Sequence, residues 1–211
     1  MCEDVLERGL EGMGIAADGK TIATLSLYMD EIALFNPVYK LVSYKDEREL
    51  AVRHILDSAS GEGVIASLLT EDRRVADLGS GAGLPGIVLA ILMKDVAFTL
   101  VERMARRVDF LRNVVAKCRL DNVEVLAEDV GSLRRTFPLV TFRAFHQLGD
   151  IMKPLDRILA DGGKVCAYKA RKDYVEDELK GLEGWSHRMV PLCVPSLEGE
   201  RLMLVLERKE V

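Results

Sequence analysis

The chain has 211 residues, of which 49% are hydrophobic and 30% charged, and a formal net charge of −5. That describes one α/β-sized globule with a modest extension, burying about 70% of its unfolded surface, and the acidic balance counts against a general polyanion binder, so any nucleic-acid role must rest on a local basic face. No apolar run reaches a membrane span, Met1-Cys2-Glu3-Asp4 is no signal peptide, and the scattered Cys2, Cys118, Cys166 and Cys193 with only His54, His146 and His187 argue for reduced cytoplasmic thiols, against a disulfide framework and against a metal centre.

Residues 1 to about 60 read as helical. Ile22, Leu25, Met29, Ile32 and Ala33 recur at helical spacing and predict an amphipathic helix ending before Pro37. Asp46 followed by Glu49 is a capping-box pattern opening a helix through Arg53-His54-Ile55-Leu56-Asp57-Ser58. Helical spacing puts Leu50, His54 and Asp57 on one face, so His54 is expected to meet Asp57 one turn on. Gly61 and Gly63 are expected to close this segment.

From Val75 onward the pattern alternates strand and helix. Val75-Ala76-Asp77-Leu78 leads into Gly79-Ser80-Gly81-Ala82-Gly83-Leu84-Pro85-Gly86, with the apolar run Ile87 to Met93 behind it. This reads as strand, tight turn and helix start, a loop that lets a ligand approach the backbone. A second strand, Ala97 to Glu102, precedes a helix whose core stripe is Met104, Val108, Leu111 and Val115, and which also carries Arg103, Arg106, Arg107 and Arg112. Val123 to Leu126 is a third strand, followed by Ala127-Glu128-Asp129, and Leu139 to Phe142 a fourth, followed by Arg143. A helix over 151–159 and a Gly162-Gly163 turn lead to a fifth strand, Lys164 to Tyr168, ending at Lys169. Another helix over 174–182 precedes a closing antiparallel pair, 188–194 and 202–206. Such alternation means a parallel sheet with helices on both faces, and ligands at the strands' carboxyl ends.

The glycine stretch admits two readings. Gly81, Gly83 and Gly86 satisfy the dinucleotide fingerprint, with Glu102 well placed downstream. Gly79 is an additional glycine, however, and Asp77 at the strand end suits the ammonium of an amino acid better than a pyrophosphate. Asp-x-Gly-x-Gly-x-Gly resembles the first motif of S-adenosylmethionine (SAM)-dependent methyltransferases. Glu102 suits a ribose diol, Glu128 and Asp129 an adenine edge, and Arg143 and Lys169 call for an anionic partner.

Asn36, His54-Ile55-Leu56-Asp57-Ser58, Leu84-Pro85-Gly86, Arg106-Arg107, Ala127-Glu128, Arg143-Ala144-Phe145, Lys169 and Gly199-Glu200-Arg201 together carry a more specific likeness. Over most of its length the chain resembles the bacterial small-subunit ribosomal RNA guanine-N7 methyltransferases, also called glucose-inhibited division protein B. The resemblance implies a Rossmann-like class I SAM-dependent methyltransferase fold: α/β, with a seven-stranded mostly parallel sheet, an antiparallel C-terminal strand pair and an N-terminal helical cap. Residues 1–62 would form the helical extension and 63–211 the methyltransferase domain. Cofactor contacts would fall on Gly79, Leu84, Ala127, Glu128 and Arg143, joined on the reading of the residues by Asp77, Gly81, Gly83 and Glu102. Arg143, Lys169, Arg201, Asn36 and His54 are the substrate-side candidates. The family usually has Trp at Phe35, Asn at Lys40, Ser at Phe142 and Gly at Ala170, and His146 is atypical. Cofactor positions are kept while some substrate-side positions are changed, so methyl transfer is better supported than the identity of the methylated base.

Guanine N7 carries an unprotonated lone pair, so the resemblance requires no acid–base residue. The expected partner is ribosomal RNA or the small ribosomal subunit, with a monomeric cytoplasmic protein and neither metal nor membrane. The alternatives are a methyltransferase acting on another RNA, a protein or a small molecule, and an NAD-dependent oxidoreductase. The last would need a proton donor that no His or Tyr convincingly supplies. A non-enzymatic binding module is a further alternative.

Overall fold

Seven short strands, apolar on both faces at the centre, assemble in the order β3-β2-β1-β4-β5-β7-β6 in the computed structural model, which describes residues 2–144, 148–180 and 182–209. Phe145 and His146 lie outside the described residues. The strands are β1 (Arg74–Leu78), β2 (Ala97–Val101), β3 (Val123–Leu126), β4 (Phe137–Arg143), β5 (Leu159–Lys169), β6 (Trp185–Pro191) and β7 (Leu202–Arg208). β1 pairs in parallel with β2 and β4, β2 with β3, and β4 with β5. β7 runs antiparallel to both β5 and β6. In β1 every residue after Arg74 is buried, as expected where helices cover both faces of a parallel sheet. The order turns back between β1 and β4, so the crevice at their carboxyl ends is the fold's natural ligand position.

The helices are α1 (Cys2–Gly12), α2 (Gly19–Tyr39), α3 (Glu47–Leu50), α4 (Asp57–Ala59), α5 (Glu62–Leu68), α6 (Gly86–Leu92), α7 (Ala105–Cys118), α8 (Leu148–Ile158) and α9 (Lys172–Leu179). A wider π-helical stretch, Ala51–Leu56, joins α3 to α4. Asp46 caps α3 by accepting from Glu49 N, and Glu49 reaches back to Lys45 N. α1, α2 and the 47–59 stretch share one apolar core with Ala82, Leu84 and Ile87 of the glycine loop and α6 and with Phe110 and Leu111 of α7. A short bond from Asn113 Nδ2 to Glu31 Oε2 fastens α7 to α2.

Several expectations need correcting. α2 does not stop before Pro37 but runs to Tyr39. A proline in the last turn forfeits one backbone bond, and Lys40, in the left-handed region at φ 52°, then ends the helix on Asn36 O. Ala33 is exposed, while Tyr28, outside the expected stripe, is fully buried. Met104 precedes α7 and is 50% exposed; Phe110 and Val114 complete the stripe with Val108 and Leu111. Gly63 sits inside α5 instead of closing the segment. Gly162 and Gly163 lie within β5, where the pairing jumps from Phe137↔Leu159 to Leu139↔Lys164, so they bulge a strand already begun. His54 and Asp57 do not form a simple local pair; both turn to Arg143.

Candidate active site

The loop after β1 is tied down on three sides. Gly79 N and Ser80 N donate to Val101 O at 2.8 and 3.1 Å, seating the turn on the end of β2. Gly81 N donates to Glu102 Oε2 at 3.0 Å, and Tyr28 Oη on α2 donates to Ala82 O at 2.6 Å. Gly79 and Gly81 have φ of 64° and 59°, a conformation that a side chain would strain.

Beneath the loop, Asp77 is fully buried. Its Oδ2 accepts from Gly86 N at 3.1 Å, bracing the start of α6, and its Oδ1 has no hydrogen-bond partner among the described residues. Burial pushes its carboxyl up to about 7, against the pull of the Ser80 and Gly86 hydrogen bonds. The structure thus sets Asp77 under the loop rather than on a cavity wall. Gly83 is there too: a Cβ on it would meet Ile87 and Leu111.

Two cavities flank Gly79 and share Gly79, Arg107 and Ala144 in their walls. One, of about 450 Å³, is lined by Glu102, Met104, Glu128, Asp129, Asp150, Ile151 and Pro154 among others. Its walls carry four carboxylates against the guanidinium groups of Arg103 and Arg107. Glu102 is 4% exposed and uses its second oxygen to accept from Met104 N at 2.9 Å. Met104, Ile151 and Pro154 supply apolar lining in the same cavity as that carboxylate. Ala127 is exposed just before Glu128, where β3 ends.

The other cavity, about 600 Å³, has the opposite charge. Among the described residues of its wall, Arg53, Arg107, Arg143, Lys169 and Arg201 face a single carboxylate, Asp57, with Leu84 and His54 beside them. Asp57 takes Arg143 Nη1 on Oδ2 at 2.7 Å and Arg201 Nε on Oδ1 at 3.0 Å. Lys169 Nζ lies 2.5 Å from Glu178 Oε2. The anionic partners that Arg143 and Lys169 called for are therefore present within the chain.

His54 is set between two elements. Its Nε2 lies 3.0 Å from Ser43 O and must carry the proton to donate there, leaving Nδ1 to accept from Arg143 Nη2 at 3.3 Å. Burial holds its pKa below the usual imidazole value, and an Nδ1 that accepts from Arg143 belongs to the neutral ring. Asn36 lines neither cavity; both ends of its amide bind Val42. The sequence reading missed Tyr28 and Met104 as site-building residues. The His-x-x-Asp-Ser spacing did flag Asp57, but its partners come from β4 and from the segment before β7. Among the described residues, no helix is long and apolar enough to cross a membrane, and no group of three or more His, Cys, Asp or Glu is set to hold a metal.

The chain is similar to known proteins in both sequence and fold. The profile of the family described as rRNA small subunit methyltransferase G matches residues 21–205. Ribosomal RNA small subunit methyltransferase G of Treponema denticola is 35% identical, covering 97% of this chain and 94% of that protein. Ribosomal protein L11 methylase from Lactobacillus delbrueckii subsp. bulgaricus superposes with a TM-score of 0.58 at 15% identity, over 80% of this chain and 82% of its own. M. jannaschii TYW2, in complex with AdoMet, does so at 0.52 and 16%, over 72% and 77%. The last two likenesses show the fold alone; the match over 21–205 and the 35% identity show that the chain belongs to the rRNA small subunit methyltransferase G family.

Proposed function

We propose that this chain transfers a methyl group from SAM to N7 of a guanine in small-subunit ribosomal RNA, with the acidic cavity for the cofactor's adenosine and the basic cavity for the RNA. The observation that carries the division of labour is the change of charge across Gly79. SAM is a sulfonium cation with a neutral adenosine, and a wall of four carboxylates against two guanidinium groups suits it while repelling a pyrophosphate. Glu102 has lone pairs left for a ribose diol, Met104 and Ile151 offer apolar cover for an adenine face, and the glycines at 79 and 81 open the backbone to the amino-acid end. The donor set fits the cofactor.

When bound, SAM supplies an electrophilic methyl group on sulfur. The chain supplies position and dryness. N7 of guanine attacks with an existing lone pair, so no residue needs to remove a proton, and the neutral, doubly engaged His54 is consistent with a site that has no general base. Placing donor and acceptor in line within about 3–3.5 Å provides much of the rate. Arg143 lines the basic cavity next to Ala144, one of the residues that both cavities share, so the RNA side adjoins the cofactor side there. Lys169 and Arg201 complete the cationic wall that meets phosphate or the guanine O6 edge. Residues 1–62 serve as a helical extension of the 63–211 unit, since Tyr28 and Asp57 each reach from it into the site.

The test is nucleoside mass spectrometry of small-subunit RNA from cells with and without the gene, beside methyl incorporation from labelled SAM by purified protein. Loss of one 7-methylguanosine with its restoration in vitro is expected. Labelling of a different nucleoside would overturn the N7 assignment, and no labelling of RNA at all would overturn the substrate class.

A further inference from the structure

Asn36 and His54 hold the same short piece of chain from opposite sides. Asn36 Nδ2 donates to Val42 O at 2.9 Å and its Oδ1 accepts from Val42 N at 3.0 Å, while His54 Nε2 donates to Ser43 O at 3.0 Å. Leu41, Val42 and Ser43 are thereby a fixed partition. The basic half of the cleft lies on one face, and a second, open cavity of about 630 Å³ lies on the other; the three partition residues line both. That volume falls within the roughly 300–1,000 Å³ of small-molecule sites.

The chemistry of the second cavity points to a nucleotide. Among the described residues, no carboxylate lines it. Lys40 stands at its rim, exposed and in no ion pair among the described residues. Tyr44, half-buried, provides a ring on the wall, and Pro37 and Ala33 provide apolar surface. Chemistry on a base inside a folded RNA requires separating it from its stacked neighbour, and that neighbour then needs a new surface. An aromatic side chain beside a cation is how single-stranded bases are commonly held.

We infer that this cavity receives the nucleotide adjoining the methylated guanosine, with its base against Tyr44 and its phosphate at Lys40, and that the Leu41–Ser43 partition keeps the two bases apart. The inference rests on the RNA reading above. It gives Asn36 a positioning role, since it fixes the partition without touching either nucleotide.

Two variants and one adduct test it. Lys40→Asn removes the charge with a residue type that tolerates φ 52°, and Tyr44→Leu removes the ring while keeping apolar packing. With small ribosomal subunits as substrate, each is expected to raise KM about fivefold or more, with SAM affinity by calorimetry at the wild-type value; Lys40→Asn also lowers the salt slope of RNA binding by about one. Lys40→Arg should restore both. Ultraviolet irradiation of the wild-type complex should leave a nucleotide on tryptic peptide 41–45. Unchanged KM in both variants, a KM rise accompanied by weakened SAM binding, or adducts confined to other peptides would each overturn the subsite. Wild-type protein that methylates no ribosomal RNA would instead bring down the reading on which it rests.

Discussion

Arg143 Nη1 sits 2.7 Å from Asp57 Oδ2, joining the end of β4 to the N-terminal helices across 86 positions of sequence. The other oxygen of that carboxylate holds Arg201. Two guanidinium groups that meet the basic cavity are thus aimed by one side chain from outside the sheet, and a carboxylate 8% exposed between them offsets the repulsion of bringing them together.

Replacing Asp57 with Asn keeps the shape and removes the charge. Two guanidinium groups, 16% and 22% exposed, then lack a counter-charge. We expect a loss of about 2–3 kcal/mol of stability, the scale of hydrogen bonds to charged groups, and a larger fall in methyl transfer than in SAM affinity. Urea unfolding and calorimetry measure both. A variant within about 0.5 kcal/mol of wild type would behave as an ordinary surface change and would remove Asp57 from this role.

Glu102 accepts from Gly81 N and Met104 N, so it shapes the loop as well as offering acceptors to a ribose. Glu102→Gln presents an amide N–H to one of those backbone donors. SAM affinity is expected to weaken by about 1–2 kcal/mol. Unaltered affinity in a variant of unaltered melting temperature would take the ribose away from Glu102.

The glycines separate by what surrounds them. A Cβ on Gly86 would meet Leu100 Cδ2 and would lie 2.6 Å from Asp77 Oδ2, whereas one on Gly63 would meet nothing within 4 Å. Gly86→Ala should therefore destabilise by about 1–3 kcal/mol through overpacking. Gly63→Ala, inside α5, should stabilise by about 0.5–1 kcal/mol. Thermal unfolding of the pair decides it, and equal effects would mean that the loop packs differently under α6.

The alternation of strand and helix was legible because its signals are local: apolar runs, a glycine turn, and polar residues at strand ends. What was not legible is which charges neutralise which. Arg143 and Lys169 read as cations seeking a ligand, but their partners, Asp57 and Glu178, come from other elements, and pairing across elements leaves no spacing in the sequence. Pro37 misled for a related reason. Its cost is set by how many backbone bonds remain to be lost, and near Tyr39 few do. Met104 was assigned to the core by periodicity, although α7 begins only after it, so the chain has not yet entered the helical repeat there and this side chain lines the cleft instead.

Asp77 offers a test that depends on burial alone. The folded protein holds its proton up to about pH 7, whereas in the unfolded chain it leaves near about 3.9. Between those values the folded state binds more protons than the unfolded one, so this group's contribution to stability falls as pH rises through the window and levels off above it. Asp77→Asn keeps an acceptor for Gly86 N–H and cannot titrate. The stability of wild type minus that of the variant should therefore decline from pH 4.5 to 7, by at most about 1.4 kcal/mol per pH unit, and stay flat from 7.5 to 8.5. Subtracting the variant cancels His54, whose depressed pKa imposes the opposite slope, with stability lost as pH falls below the usual imidazole value. Urea unfolding at half-unit steps of pH gives the curve. A difference that is level across the whole range would mean that Asp77 is already ionised in the fold, with its second oxygen finding a donor as the loop opens.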